Sequence, residues 1–365
     1  MSRLTVYLVR LFSSNAIAFA VVASVLIWLI QCLRIFDVVS VKGQGILTLL
    51  GQAVLTMPPL LIVFLYVCWG IGLGRALRDL QASQELHSIH SSRRLRALFE
   101  AVAVFTALGA VILLLLSNFV DPIATRKLND WSASIAADLV SRTLRPHRFA
   151  EVVPGVVMVI GNRSGLGEIT DFFADDKRDP AVRRTYVARS ATVSSDENGY
   201  VLNLRDGYLQ YLSDGNEFSQ VSFASYNLGL ERLTQPADDR NGLKESNSLE
   251  LIREALTTGI WDKQAVSLLA TRAAEGLRIV GMSILVAGLA GFPSGRRRRR
   301  GLPLELTVLV AAFGERLVTA YTPGPIAPFA GALVMLAIGI LLLLYKLQLH
   351  VSLFRPAGGR GEQTA

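Results

Sequence analysis

Three apolar runs open the chain, roughly Leu11 to Phe36, Ile46 to Gly74 and Ala97 to Val120, and three more close it, roughly Ala273 to Phe292, Leu302 to Tyr321 and Ile326 to Tyr345. Crossing a hydrocarbon core about 30 Å thick takes about 20 helical residues, and each run is near or above that length. No water in that core can satisfy a backbone N–H or C=O, so a spanning segment must pair these groups within itself as a helix. The chain is therefore expected to be an α-helical membrane protein with six transmembrane helices. The second run is over-long and carries Pro58 and Pro59, so it is expected to kink or to begin as a re-entrant turn. The fourth and fifth are the least apolar, because they carry Glu275, Arg278, Glu305, Glu315 and Arg316.

Composition agrees: 51% of the 365 residues are hydrophobic and 18% charged, more apolar and less charged than a soluble domain. Cys32 and Cys68 both fall inside apolar runs, where they read as small buried hydrophobes rather than as a disulfide framework. Arg3 and Arg10 ahead of an apolar run resemble a signal peptide. The small-residue stretch AIAFA, however, precedes the apolar centre, and the run is long enough to span, so an uncleaved first helix is expected.

The net charge of +8 raises the question of nucleic acid, but the arginines cluster at the ends of apolar runs, so no nucleic-acid partner is expected. Short cytoplasmic loops hold the excess of Lys and Arg, which sets orientation. Arg75, Arg78, Arg93, Arg94 and Arg96 follow the second run, Arg296 to Arg300 follow the fourth, and Arg355 and Arg360 lie in the tail, whereas the alternate loops hold only Lys42 or nothing. Both termini in the cytoplasm satisfy every loop. Arg296 to Arg300 fix topology or recruit anionic lipid.

Residues 121–271 then form a domain on the far side of the membrane. Turn signals recur at Asn198-Gly199, Asp206-Gly207 and Asp214-Gly215, between the β-rich runs TYVARSATVS, YVLNL, YLQYL and FSQVSFASYNL. Short strands separated by tight turns predict an antiparallel sandwich or an open roll. Alternation places Tyr200, Leu202 and Leu204 on one face, and Val221 with Phe223 on one face of a later strand. After Pro236 the pattern turns helical in SNSLELIREAL, with Ser246 or Asn247 as cap and Glu250 following. The expected organisation is 1–120 with a charged cytoplasmic helix at about 78–96, 121–271 as the β-rich domain with flanking helices, 272–350 as the last three spans, and 351–365 as a tail.

The sequence carries no recognisable catalytic constellation. GNRSGLGE lacks the G-x-S-x-G spacing of a nucleophile elbow and reads as a turn between strands. His87 and His90 share a helix face without a third ligand in sight, so a solvated surface is the expectation and no metal is assigned. No G-x-x-x-x-G-K-[ST] exists to cradle nucleotide phosphates. The chain is thus not expected to be an enzyme or to bind a cofactor of its own.

Several stretches together resemble the LptF/LptG family of lipopolysaccharide-export permeases, also called YjgP/YjgQ, with the nearer likeness to LptF. They are YLVRLF opening the first span, MPPLLIVFLYVCWGIGLGRALRDLQASQELHSIHSS through the second span and its loop, NFVDPIA leaving the third, and YVLNLRDGYLQYL, similar to a strand ending in L-x-D-G. The family's D-S-E reads Ala82-Ser83-Gln84-Glu85 here, keeping the glutamate and replacing the aspartate two residues earlier by serine; Ser91 or Ser92 stands where a glycine often follows, and LATRAAEGLRIV lacks the usual proline.

The resemblance implies a β-jellyroll-like periplasmic domain inserted between the third and fourth helices of a multi-pass inner-membrane protein. It further implies a sister LptG-like permease, an LptB-like ATPase dimer carrying the ATP and magnesium, and a single-span LptC-like bridge protein, with lipopolysaccharide as substrate. It marks Glu85, with Leu86 and Arg78 beside it, as the contact to the ATPase; the alternative is an ordinary solvated glutamate. It marks Arg34 as substrate-binding, with Lys42 as a second; Glu315 and Arg316 join them as candidates because an ionisable pair inside a span is costly to leave in lipid. Arg34 suits a phosphorylated sugar or simply snorkels, and Lys42 is either a second such group or a loop cation. Glu315 and Arg316 line a cavity or pair structurally with Arg278 or Glu275. Gly70 and Gly74 have GxxxG spacing, either for close helix approach or by chance on a lipid face. A membrane scaffold whose β-domain binds envelope proteins is the competing class.

Overall fold

A computed structural model of the chain describes residues 2–42, 46–91, 94–138, 146–153, 155–162, 168–179, 182–196, 199–213, 217–229, 242–293 and 303–353. The five-arginine run, the tail from 354 onward and most of GNRSGLGE lie outside the described residues. Two compact units form, one from Met1–Pro122 with Asn247–Ala365 and the other from Ile123–Ser246.

The first unit is helical. It contains α1 (Arg3–Lys42), α2 (Ile46–Leu55), α3 (Pro58–Ala82), α4 (Glu85–Ser91), α5 (Leu95–Leu115) with a π-helical turn over Leu116–Val120, and then α7 (Ser248–Thr258), α8 (Lys263–Ala290), α9 (Leu304–Tyr321) and α10 (Ala327–Leu353). Among the described residues, five helices are long and apolar enough to cross a membrane: Arg3–Ile35, Pro58–Ala82, Leu95–Ser132, Lys263–Ala290 and Ala327–Gln348. The expected fifth span is the exception. It folds as α9, whose 18 residues cover about 27 Å, but it carries Glu305, Glu315 and Arg316.

The over-long second run breaks where the prolines stand. Pro58 lies at the start of α3, where its missing N–H costs nothing, and α2 ends just before it. The charged stretch at 78–96, expected as one helix, divides instead. The end of α3 carries Leu77 and Leu80 into the core, the chain turns at Gln84 with φ of 60°, and the seven residues of α4 bury Leu86 and Ile89 in the same core. Burying leucines on both sides of the turn requires the bend.

Helix packing uses side chains trimmed to nothing. A Cβ on Gly72 of α3 would lie 2.4 Å from the Ala16 backbone of α1. Gly70 faces Met282 of α8 and Val308 of α9, and Gly74 faces Leu304 of α9. The GxxxG spacing therefore serves helix approach within the chain. Trp69 stacks on Phe105 of α5 with centroids 4.7 Å apart and donates its indole N–H to the Phe105 carbonyl. Phe105 also meets Phe12 of α1 edge-on at 5.9 Å.

The second unit holds α6 (Asp121–Asp138) and six strands: β1 (Ala150–Val153), β2 (Val156–Val159), β3 (Ile169–Asp176), β4 (Val182–Asp196), β5 (Gly199–Ser213) and β6 (Phe218–Gly229). They make one antiparallel sheet in chain order. An antiparallel sheet was expected. Among the described residues it is an up-and-down meander rather than the paired sheets of a jellyroll. Its core is Met158, Phe172, Tyr186, Leu202, Leu204, Leu209 and their neighbours. Leu202 and Leu204 share the buried face, as alternation requires; the side chain of Tyr200 lies outside the description. On the edge strand β6, Phe223 packs against this core while Val221 is exposed.

Asp206-Gly207 was expected as a turn, yet β5 runs straight through it. Asp206 takes φ of 51° and Gly207 pairs with Ala188 on one side and Phe223 on the other. A Cβ on Gly207 would lie 2.2 Å from the Val187 carbonyl oxygen, so the glycine serves close strand approach instead of chain reversal. Asp175 on β3 accepts two hydrogen bonds of 2.8 Å from Arg183 and one of 3.0 Å from Thr185. Burial pushes its carboxyl up, but the Arg183 and Thr185 hydrogen bonds and the nearby Arg183 and Lys177 charges outweigh burial and hold it below the usual range. Tyr186 is pushed up to about 12 by burial.

Asn247 caps α7, and its backbone N–H donates to Glu250 at 2.9 Å, one half of the expected capping box. Arg272 of α8 donates to the Ser248 hydroxyl, which donates in turn to Asn118 in the π-helical turn.

Candidate functional site

Four ionisable residues sit together among the helices of the first unit. Glu275 and Arg278 lie three residues apart on α8, hence on one face, and Glu315 and Arg316 are neighbours on α9. Arg278 Nε donates to Glu315 Oε1 at 2.9 Å and Nη1 donates to Glu275 Oε1. The Arg278 and Glu315 side chains are 1% and 0% exposed. Thr319, one turn further along α9, donates to Glu315 at 3.2 Å, and Tyr66 of α3 donates to its other oxygen at 3.5 Å. The two charges of each sign cancel, which is what allows the cluster to exist away from water.

Arg316 stands apart from the other three. Its side chain is 35% exposed, and its guanidinium lies 3.6 Å from Glu315, 4.0 Å from Glu275 and 5.7 Å from the Tyr66 ring centroid. Its Nε and Nη2 atoms are buried without a hydrogen-bond acceptor among the described residues. Arg316 supplies the second positive charge that balances the two glutamates, and its side chain is open on one side, where a guanidinium is suited to an anionic oxygen.

The other sequence candidates lie elsewhere. Arg34 is exposed near the end of α1, and among the described residues no hydrogen bond or ion pair joins it to Glu315 or Arg316. Lys42 closes α1, with its side chain outside the description. Arg78 donates to both oxygens of Glu305, at 3.1 and 3.0 Å, which ties α3 to α9. Glu85 is exposed on the first turn of α4, whereas Leu86 is fully buried and seats that helix. The two histidines part company. His87 is exposed, but His90 is buried, with Nδ1 2.8 Å from the Leu86 carbonyl oxygen and its ring edge-on to Phe292. The expected solvated pair is thus true of His87 alone, because the face carrying Leu86 and Ile89 turns His90 inward.

Tyr66 and Thr319 complete the cluster without a sequence signal for Tyr66, an aromatic in an apolar run. Thr319 was legible in principle, since it stands four residues after Glu315 on a helix.

A set of apolar helices of spanning length, a charge-balanced cluster sunk among them and a separate antiparallel sheet define a multi-pass membrane protein with a polar site in its helical part. Residues 6–348 match the family described as lipopolysaccharide export system permease LptF/LptG, and the chain belongs to that family. It is a transport membrane subunit of the inner membrane rather than a catalytic one. None of the curated proteins matches the chain.

Proposed function

We propose that the chain is the LptF-like permease of an ATP-driven exporter that extracts lipopolysaccharide from the inner membrane and passes it to a periplasmic bridge toward the outer membrane. The family match over residues 6–348 carries this reading. In it, a sister LptG-like permease completes the cavity and an LptC-like protein joins the β-domains. An LptB-like ATPase dimer supplies ATP hydrolysis, consistent with a sequence that lacks a phosphate-cradling loop.

Within that assembly Glu85 is the coupling contact and Leu86 its anchor. A carboxylate on a short helix whose buried leucine is locked in the core transmits a push, because packed cores shift as units. Exposed Val310, Phe313, Leu317 and Tyr321 on α9 give that helix an apolar outer face for lipid or the sister subunit. Arg316, on the same helix, turns the exposed part of its side chain to substrate phosphate, with Arg34 and Lys42 as further cations toward the end of α1.

Affinity purification in mild detergent tests the reading. The native chain is expected to bring an ATPase and a sister permease with it, and Glu85→Ala to lose the ATPase or uncouple it. Arg316→Gln is expected to reduce the lipopolysaccharide reaching the cell surface while the complex stays assembled. A native chain that comes out alone at every salt concentration, or surface lipopolysaccharide indifferent to Arg316→Gln, leaves the scaffold reading standing instead.

A further inference from the structure

The end of the helical unit far from Asn118 carries a second basic feature, to which the proposed export role assigns no part. Phe12 meets Phe105 edge-on, and Arg3 and Leu4 line one cavity with Arg96 and Ala97, so α1 and α5 run side by side in the same direction. Arg3 is nine residues before Phe12 and Arg96 nine before Phe105, which puts the two arginines at one level. There Ser2, Arg3, Arg94, Arg96 and Glu100 line a shallow cavity of about 530 Å³. Arg96 donates to Glu100 at 3.0 Å. That single carboxylate stands against three guanidiniums, so the cavity is electropositive.

Orientation alone accounts for arginines near the ends of spans. It does not account for arginines 91 positions apart converging on one concavity at the point where two spans begin. That point is at headgroup depth on whichever side of the membrane it lies. Leu4 and Ala97 supply an apolar rim, and exposed apolar side chains continue along both helices, Val6 and Tyr7 on α1, Val104 and Leu108 on α5. A diester phosphate with acyl chains suits such a place; a free phosphate would leave the apolar continuation unused.

We propose that this cavity is a binding site for the headgroup of an anionic phospholipid, with Arg3 and Arg94 holding the phosphate and Glu100 moderating the site through Arg96. The inference is independent of the export reading, since it needs neither lipopolysaccharide nor an ATPase.

The test uses the purified full chain in neutral detergent, titrated separately with phosphatidylglycerol, phosphatidylcholine and inorganic phosphate, and reads the thermal midpoint together with retained lipid by native mass spectrometry. Phosphatidylglycerol alone is expected to raise the midpoint and to be retained. Removing both cations in Arg3→Gln/Arg94→Gln should weaken that binding by roughly tenfold or more, Arg3→Lys/Arg94→Lys should keep most of it, and Glu100→Gln should strengthen it. Equal retention of phosphatidylglycerol by the double glutamine variant overturns the proposal. A midpoint shift reproduced by inorganic phosphate at the same concentration also overturns it, as it makes the site one for free phosphate. Where the double glutamine variant does not fold, Glu100→Gln decides, and no gain in lipid retention counts against the site.

Discussion

Arg278 and Glu315 lie on different helices, 2.9 Å apart, with side chains 1% and 0% exposed. Removing one member of such a pair strands a charge where neither water nor lipid can solvate it, at a cost of about 3–5 kcal/mol, whereas replacing both with apolar groups of similar size is close to neutral. Glu275 also accepts from Arg278, so Arg278→Met strands two carboxylates. We expect Arg278→Met to be strongly destabilising in detergent and Arg278→Met/Glu315→Met, which leaves Glu275 facing Arg316, to recover most of the loss. Thermal unfolding of the two variants checks it. A double variant as unstable as the single would mean that packing rather than charge holds the residues together.

The same helices give a contrast between two glycines. Gly72 has the Ala16 backbone where its Cβ would stand, and Gly314 of α9 has nothing within 4 Å. Gly72→Ala is expected to push α1 off α3 and to cost about 1–3 kcal/mol, in the range of overpacking. Gly314→Ala meets no obstacle and removes a helix-interior glycine, for a gain of about 0.5–1 kcal/mol. Thermal midpoints of the two variants should move in opposite directions.

Much of the helical layout was legible because hydrocarbon leaves a chain few choices. Run length and the Pro58-Pro59 pair yielded the spans and the break. What the pattern hid were decisions made by packing. Asp206-Gly207 carries the residues of a turn, but the approach of β4 needed a glycine there, and residue type does not distinguish the two demands. Residues 78–96 read as one helix because charge dominates the stretch; the bend at Gln84 follows from two pairs of leucine-sized side chains sharing one core. In the charged cluster, the alternative partners Arg278 and Glu275 could be named from their position in the fourth run. Tyr66 could not, since its hydroxyl matters only once α3 has packed against α9.

Acid should weaken the sheet through Asp175. Its carboxyl is held below the usual range in the folded chain, so its stabilising contribution is present above the unfolded value of about 4 and is lost as pH falls through the lower folded value. Protection of the β3 and β4 amides, taken relative to the intrinsic exchange rate at each pH, is expected to fall below about pH 4 in the native chain. Asp175→Asn should be weaker at neutral pH and show less of that acid dependence. A variant with the same acid profile would assign the effect to another carboxylate.

Arg78 allows two roles to be separated. It bonds both oxygens of Glu305, and the two side chains are 36% and 43% exposed, so the pair contributes about 0–1 kcal/mol. If tying α3 to α9 is all Arg78 does, Arg78→Gln and Glu305→Gln remove the same interaction and must look alike in every assay. If Arg78 also contacts an ATPase beside Glu85, only its own loss weakens that contact. We expect small and equal changes in thermal midpoint for the two variants, but reduced ATPase retention on affinity purification for Arg78→Gln alone. Equal retention would return Arg78 to a purely intrachain role and leave Glu85 to make the contact without it.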